Sequence, residues 1–168
     1  MKNTKMNRRT FLKVTTFAGS GLLVGCTFQS NPNISAPTAI SEDLGLFIRI
    51  AKDNSITIIS PTSELGQGTH TAHAMIIAEE LEADWKKIKV VTAPARSEYK
   101  KNLYLQSTSA NDGITSWWDR LAKIGAGTRE LLIEAGAQKM GVPVKECEAQ
   151  NGHVLHRPSS RKLSYGQL

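Results

Sequence analysis

LFIRIAKDNSITIIS, residues 46–60, running directly into PTSELGQGT, residues 61–69, is the stretch on which the fold is read. Phe47, Ile48 and Ile50, then Ile56, Ile58 and Ile59, are β-branched or aromatic side chains that suit a pleated, half-buried surface. Asp53-Asn54 lies between them, and both residue types tolerate the left-handed backbone of a tight turn. The spacing therefore predicts strands over 46–52 and 55–60 joined as a hairpin. The glycine-containing loop 63–69 follows, and then a helix over 70–82. Thr69 is the expected N-cap, and Ala72, Met75, Ala78 and Leu81 form the expected apolar stripe.

Working outward, residues 87–92 are predicted to form a strand closed by Pro94, and 96–107 read as polar and irregular. A long helix is expected over 116–140, capped by Ser116 and stopped by Gly141 with Pro143 beyond. Its inner face would carry Trp118, Leu121, Gly125, Thr128, Leu132, Ala135 and Lys139. Gly125, Gly127 and Gly136 each weaken a helix by roughly 1 kcal/mol relative to Ala, which points to close packing on another element. A second hairpin, 146–150 with 153–156, turns at Asn151-Gly152. Ser164-Tyr165-Gly166-Gln167 matches a capping box that opens a helix, with Leu168 its first apolar residue. A helix of two or three residues does not persist in water, so the chain is expected to be cut from something longer. The fold class is α/β (α+β), two hairpins with two helices, forming an incomplete domain over 44–168.

Upstream of this body lies an address. Residues 1–26 hold five of the 21 basic side chains and no acid, so the remaining 16 face 15 acids and the net +6 shrinks to +1. A near-neutral body offers no electrostatic footprint for nucleic acid. Lys2, Lys5, Arg8, Arg9 and Lys13 form a basic n-region, and 14–24 a short apolar h-region. Arg8-Arg9-Thr10-Phe11-Leu12-Lys13 matches the twin-arginine export motif, and Leu23-Val24-Gly25-Cys26 a lipobox that would place a lipid on Cys26. Such an anchor holds a protein at a membrane surface without a span, and no run of about 18 apolar residues is present. Residues 27–43, rich in Asn, Ser, Pro and Thr, read as a linker. Gly19, Gly21 and Gly25 lack the spacing and the strand–turn–helix setting of a dinucleotide fingerprint. With Cys26 so used, Cys147 has no partner.

The loop Glu64-Leu65-Gly66-Gln67-Gly68-Thr69 carries the chemistry. Its glycines let backbone approach a ligand, the first N–H groups of the helix favour a polar or anionic group, and the Gln67 amide offers donor and acceptor together. A plain tight turn would look the same. His70-x-x-His73 and His153-x-x-His156 form a rival set. The first pair shares a helix face as zinc ligands do. The second pair points to opposite faces of a strand, and no acid or cysteine completes a site. Trp117 and Trp118 read as packing residues.

Taken in order, the aliphatic hairpin, SELGQGT, AMIIAEELEADWKKIKV, SWWDRLAKIGAGTRELLIEAGAQKMGVP, NGHV and LSYGQL resemble the molybdopterin-binding subunit of the xanthine oxidase family. The subgroup most similar is the exported isoquinoline 1-oxidoreductase β-subunit type. The resemblance spans nearly all of 44–168 together with the leader. It implies that Leu65, Gly66, Gln67 and Gly68 touch a pterin cofactor, with Leu65 in place of the usual Met and Glu64 holding the loop rather than doing chemistry. It implies a second contact at Thr108-Ser109-Ala110-Asn111. There the family has T-G-G-S, and each replacement adds a side chain where backbone would approach the ligand.

The resemblance further implies hydroxylation of N-heterocycles or aldehydes with oxygen from water, a molybdopterin cytosine dinucleotide, and an iron–sulfur small subunit as partner. The catalytic glutamate of the family lies far downstream, so this chain is expected to hold no catalytic residue and no metal ligand. It is also expected not to retain the cofactor. The twin-arginine translocase would be a further partner and the periplasm the destination. The alternative expectation is an inactive truncated remnant, or a tethered lipoprotein module without catalytic activity.

Overall fold

In the computed structural model, Ile48–Ile50 (β3) and Ile56–Ser60 (β4) pair antiparallel, with Ile48 opposite Ile58 and Ile50 opposite Ile56. The structure describes residues 45–101 and 105–168, together with the backbone of Thr15–Thr16 (β1) and Leu22–Leu23 (β2). Arg8, Arg9, Cys26 and the linker 27–43 lie outside the described residues. The first hairpin strand begins two residues later than expected, because residues 45–47 take a helical turn. That turn sends Phe47 fully into the core.

Asn54 sits at φ 65 in the turn, the left-handed conformation its residue type tolerates. The Asp53 carboxylate accepts from Ser55 N at 3.0 Å. β1 and β2 pair with each other, and Leu22 stands opposite Ile50, so the sheet extends to strands upstream of residue 24.

Thr69–Leu81 (α1) follows the loop, and Ile88–Thr92 (β5) then returns parallel to β4, with Ile56 opposite Ile88 and Ser60 opposite Thr92. The sheet order is β1-β2-β3-β4-β5. The unit β4–α1–β5 is thus a crossover, and it places the Glu64 loop beyond the carboxyl end of β4. That end is where open α/β sheets keep their ligands.

The inward face of α1 is His73, Ala74, Ile76, Ile77 and Leu81, whereas Met75, expected inside, is 58% exposed. The expected Thr69 cap is also displaced. Gly68 is the N-cap, at φ 81, with no side-chain cap of its own.

Trp118–Met140 (α2) starts two residues later than expected. The Ser116 hydroxyl bonds back to Asp112 O at 2.6 Å and so cannot cap the helix. Leu121, Gly125, Thr128 and Leu132 face inward as expected, joined by Ile124, Gly136 and Ala137; Trp118 is exposed. The small residues set the packing distance. A Cβ on Gly125 would lie 2.8 Å from Glu80 Cβ and 2.9 Å from Ile77 O, so α1 and α2 touch backbone to backbone there. Arg129 Nη1 donates to Glu80 O at 2.8 Å, placing a cation on the carbonyl end of α1.

Trp117 is buried at the start of α2, and Phe47 lies between it and Tyr99, with ring centroids 6.0 Å and 5.3 Å away. Arg120 covers both the Phe47 and Trp117 rings at 5.1 and 5.2 Å. Tyr99 donates to Leu46 O at 2.8 Å. The segment expected to be irregular is therefore pinned to the core by one aromatic residue. Gly141 ends α2 at φ 68, as expected.

Cys147–Gln150 (β6) and His153–His156 (β7) form the second hairpin through Asn151 (φ 47) and Gly152 (φ 74). Two positive φ values in a row mark the turn type that Asn-Gly favours. Arg161–Ser164 (β8), which the sequence does not signal, adds a third strand against β7. The capping box forms at Ser164 and Gln167, but over a single 3₁₀ turn, Tyr165–Gln167.

This turn locks the second sheet to the first. Asn54 accepts from Gly166 N at 3.0 Å and donates to Gly152 O at 3.2 Å, while buried Tyr165 donates to Leu81 O at 2.7 Å. Burial pushes the Tyr165 phenol well above its usual range, so it stays a donor.

Candidate functional site

The loop after β4 is built around one carboxylate. Glu64 Oε1 accepts from Gly66 N at 2.8 Å and Gly68 N at 2.9 Å, and Oε2 accepts from His70 N at 3.0 Å. Gly66 (φ 94) and Gly68 (φ 81) turn their N–H groups inward onto it, a conformation that a side chain would strain. The N–H groups from Gly68 and His70 hold the Glu64 carboxyl below its usual range. Glu64 is exposed even so, and it acts as a fixed anion at the start of α1.

Two expectations change here. Among the helix N–H groups expected to favour a ligand, that of His70 is taken by Glu64, whose side chain supplies the anion that a helix start favours. The Gln67 amide is also committed. Its Nε2 donates to Ser63 O and Thr69 Oγ1, both at 2.8 Å, and its Oε1 accepts from Leu65 N at 2.5 Å. Gln67 therefore shapes the loop from within. What the loop turns outward is backbone at Gly66 and Gly68, where nothing stands within 4 Å of an added Cβ, and the Leu65 side chain, 73% exposed.

The second segment lies alongside. Thr108 Oγ1 accepts from Ser63 N at 2.8 Å, joining residues 45 apart in sequence. Ala110 and Asn111 sit at φ 59 and φ 53. These are glycine-type backbone angles carried by residues with side chains, at a cost of roughly 1–2 kcal/mol each. The chain path of a glycine turn is thus kept, and Ser109, Ala110 and Asn111 are all exposed. Lys101 forms an ion pair with Asp112 just behind this turn. Buried Thr62 Oγ1, at the base of the first loop, has no hydrogen-bond partner among the described residues.

An open backbone surface on two adjoining loops, with an unpaired buried hydroxyl between strand and loop, suits the edge of an extended polar ligand. It does not enclose one, whereas ligand sites commonly bury 70–90% of the ligand surface.

The remaining expected groups fall elsewhere. His70 and His73 both turn toward the end of β4, His70 Nε2 to Thr62 O at 3.1 Å and His73 Nδ1 to Ser60 Oγ at 3.0 Å. His156 lies between Glu146 at 3.0 Å and Ser159 at 2.7 Å on the other sheet. Among the described residues no three His, Cys, Asp or Glu side chains gather as a metal set, and no helix is long and apolar enough to cross a membrane. Trp117 is core, but exposed Trp118 joins Met75 and Trp85 in a groove of about 780 Å³ along α1 and α2, away from both loops.

A profile of the molybdopterin cofactor-binding domain matches residues 5–168. The chain belongs to that family. It is similar to the isoquinoline 1-oxidoreductase subunit beta of Brevundimonas diminuta, 33% identical, over 99% of this chain and 22% of the relative. It is also similar to the membrane-bound aldehyde dehydrogenase [pyrroloquinoline-quinone] of Gluconacetobacter polyoxogenes, 28% identical, over 99% of this chain and 21% of that protein. This member of the molybdopterin cofactor-binding family therefore spans about a fifth of the length of those relatives. Among solved structures, the Cu,Mo-CO dehydrogenase shares the fold at a TM-score of 0.55 and 19% identity, covering 73% of this chain and 16% of that one.

The mixed helix and strand class, expected from the sequence, holds. Sequence reasoning read His73 only as half of a zinc-like pair with His70 and missed its buried role, and it missed the Ser63–Thr108 link. The signal for His73 was present in part, since a histidine four residues into a helix, on the face of Ile76 and Ile77, is bound for the core.

Proposed function

We propose that this chain is the N-terminal portion of the molybdenum-cofactor-binding subunit of an exported hydroxylase or dehydrogenase acting on N-heterocycles or aldehydes. The observation that carries the reading is the Ser63–Thr108 hydrogen bond. It sets the two segments singled out as cofactor contacts side by side, at the carboxyl end of β4, in a chain of the molybdopterin family. The cofactor, in our reading the cytosine dinucleotide form of molybdopterin, supplies the redox chemistry when bound. The protein residues bind and orient it. Leu65, Gly66 and Gly68 present backbone and an apolar cover, Gln67 and Glu64 keep that backbone in place, and Thr108, Ser109, Ala110 and Asn111 form the facing rim.

In this reading the chain holds neither the catalytic base nor a closed pocket, so it retains no stoichiometric cofactor alone. The rest of the longer subunit and an iron–sulfur small subunit complete the enzyme. Arg8 and Arg9 address it to the twin-arginine translocase, and Cys26 tethers it by a lipid in the periplasm.

The test is made in a full-length subunit of which this sequence forms the beginning. Gln67→Ala is expected to lower molybdenum content while leaving the free energy of unfolding within about 1 kcal/mol of wild type, the weight of the exposed loop bonds it removes. Normal molybdenum occupancy in that variant sinks the assignment. Turnover by the 168-residue chain above a heat-killed control would overturn the claim that the site is incomplete. A full-length subunit free of molybdenum throughout would favour the tethered, non-catalytic module.

A further inference from the structure

His73 is completely buried, at the level where β4 ends and the cofactor loop begins. Its two ring nitrogens reach in opposite directions. Nδ1 lies 3.0 Å from Ser60 Oγ, the last residue of β4, and Nε2 lies 2.8 Å from Gly113 O, two residues beyond the Thr108–Asn111 rim. No part of the functional reading above uses this side chain.

We propose that His73 is the positioning residue of the cofactor cradle, an internal brace that fixes the distance between the Glu64–Thr69 loop and the Thr108–Asn111 rim through its Ser60 and Gly113 hydrogen bonds. The inference rests on the reading of those two segments as cofactor contacts. It adds to that reading what sets their separation.

The proton arrangement follows from the partners. Gly113 O can only accept, so Nε2 carries the hydrogen and Nδ1 must accept. Ser60 has one hydroxyl hydrogen and two acceptors in reach, His73 Nδ1 at 3.0 Å and Thr62 O at 3.1 Å. Thr62 O has a second donor in His70 Nε2, whereas His73 Nδ1 has none. The Ser60 hydrogen therefore goes to His73, since a buried acceptor left unpaired costs about 1–3 kcal/mol.

The brace is thus directional: Ser60 donates to His73, and His73 donates to Gly113. Outside it, the Ser63–Thr108 bond spans the same two segments in the exposed layer. Two struts, one buried and one exposed, fix a spacing where one alone would act as a hinge.

Burial pushes the His73 imidazole below its usual value; the bond to Gly113 O works against this, and His70 on the same helix adds to the lowering. From β4 it faces the Ser60 hydroxyl, and from the rim segment the Gly113 carbonyl. Asp112, next to Gly113, is ion-paired with Lys101. The neutral ring is thus the resting form near pH 7, and protonation would reverse the strut at Nδ1.

The test is nitrogen-15 NMR on the labelled 168-residue chain. Ring correlations should show His73 with a protonated Nε2 and an unprotonated Nδ1 at neutral pH. On acidification, amide signals from both 60–63 and 108–114 should move together with the His73 ring, at a midpoint below 6.5. His73→Leu should shift both amide sets. His73→Gln retains a donor for Gly113 and should shift 60–63 more than 108–114, which keeps the test open if the leucine variant does not fold.

The Nδ1–H tautomer, or rim amides indifferent to both the titration and the variants, overturns the proposal. These readouts need no cofactor. A confirmed brace combined with normal molybdenum in Gln67→Ala would remove the cofactor reading and leave the brace standing.

Discussion

Gly166→Ala should separate the second sheet from the first. A Cβ at this position would press on Ala51 O inside any normal contact, and would lie 2.8 Å from both Asn54 N and Lys52 O. All three obstacles are backbone atoms of the β3–β4 turn, so no rotamer change relieves them. Overpacking of this kind costs about 1–3 kcal/mol, and here the upper end applies because the backbone itself must move. The Gly166 N to Asn54 bond, 3.0 Å long, is lost as the turn backs away, adding about 1 kcal/mol.

A total near 3–4 kcal/mol should lower the melting temperature by roughly 10–15 °C for a folded body of this size. The control is Gly141→Ala. Its φ of 68 is in the left-handed region, unlike that of Gly166, but nothing lies within 4 Å, so the substitution adds only backbone strain of about 1–2 kcal/mol. Urea and thermal unfolding, followed by near-ultraviolet circular dichroism, compare the two variants. If Gly166→Ala costs no more than Gly141→Ala, the claim that this turn fastens the two sheets is wrong.

Glu64→Gln should leave the fold intact but loosen the loop, seen as faster amide exchange at Gly66, Gly68 and His70; unchanged protection there would refute the carboxylate as the loop's organiser. The folded pKa of His73 lies below 6.5, so the unfolded chain binds the extra proton first. Its contribution to stability is therefore complete above pH 6.5 and declines as pH falls through the folded value. His73→Gln should flatten that decline in urea midpoints, and an unaltered slope would argue that other groups cause it. Arg8→Lys combined with Arg9→Lys should block export, and passage of the double variant that a Sec inhibitor stops would remove the twin-arginine assignment. Cys26→Ser should abolish labelling by a fatty-acid analogue, whereas an unlabelled wild type would dispose of the lipid anchor.

The elements that were legible in the sequence are those set by neighbours. The β3–β4 hairpin follows from aliphatic strands around Asp53-Asn54, and β6–β7 follows from Asn151-Gly152. Both helices follow from periodicity and from the Gly141 stop. What escaped depends on distant partners. Residues 88–92 read as a strand, but their parallel pairing with β4 is a contact across the whole of α1. β8, Arg-Lys-Leu-Ser, has no apolar alternation and exists because β7 offers it an edge.

The α1 cap was misplaced because the Thr69 hydroxyl turns back to Gln67 Nε2 and Ser63 O, while Glu64, several residues upstream, takes the His70 N–H. In the site, Gly66-Gln67-Gly68 stood out for its composition. The inward use of the Gln67 amide did not, because amide orientation depends on Ser63 and Thr69 positions that only the folded loop defines.

Asn54 also sets a timetable. Its side chain receives Gly166, 112 residues later in the chain. At a synthesis rate of about 5–20 residues per second, the first hairpin waits on the order of 6–22 s for the segment that completes its turn. During that interval the aliphatic strands β3 and β4 are already synthesised, while the segment that secures their far end is not. Nascent chains of this protein therefore pass through a stage in which the earliest strands are exposed and unfastened, since a hairpin alone is marginal in water. A chaperone that holds exposed strands would engage it at that stage, and would be released once residue 166 emerges.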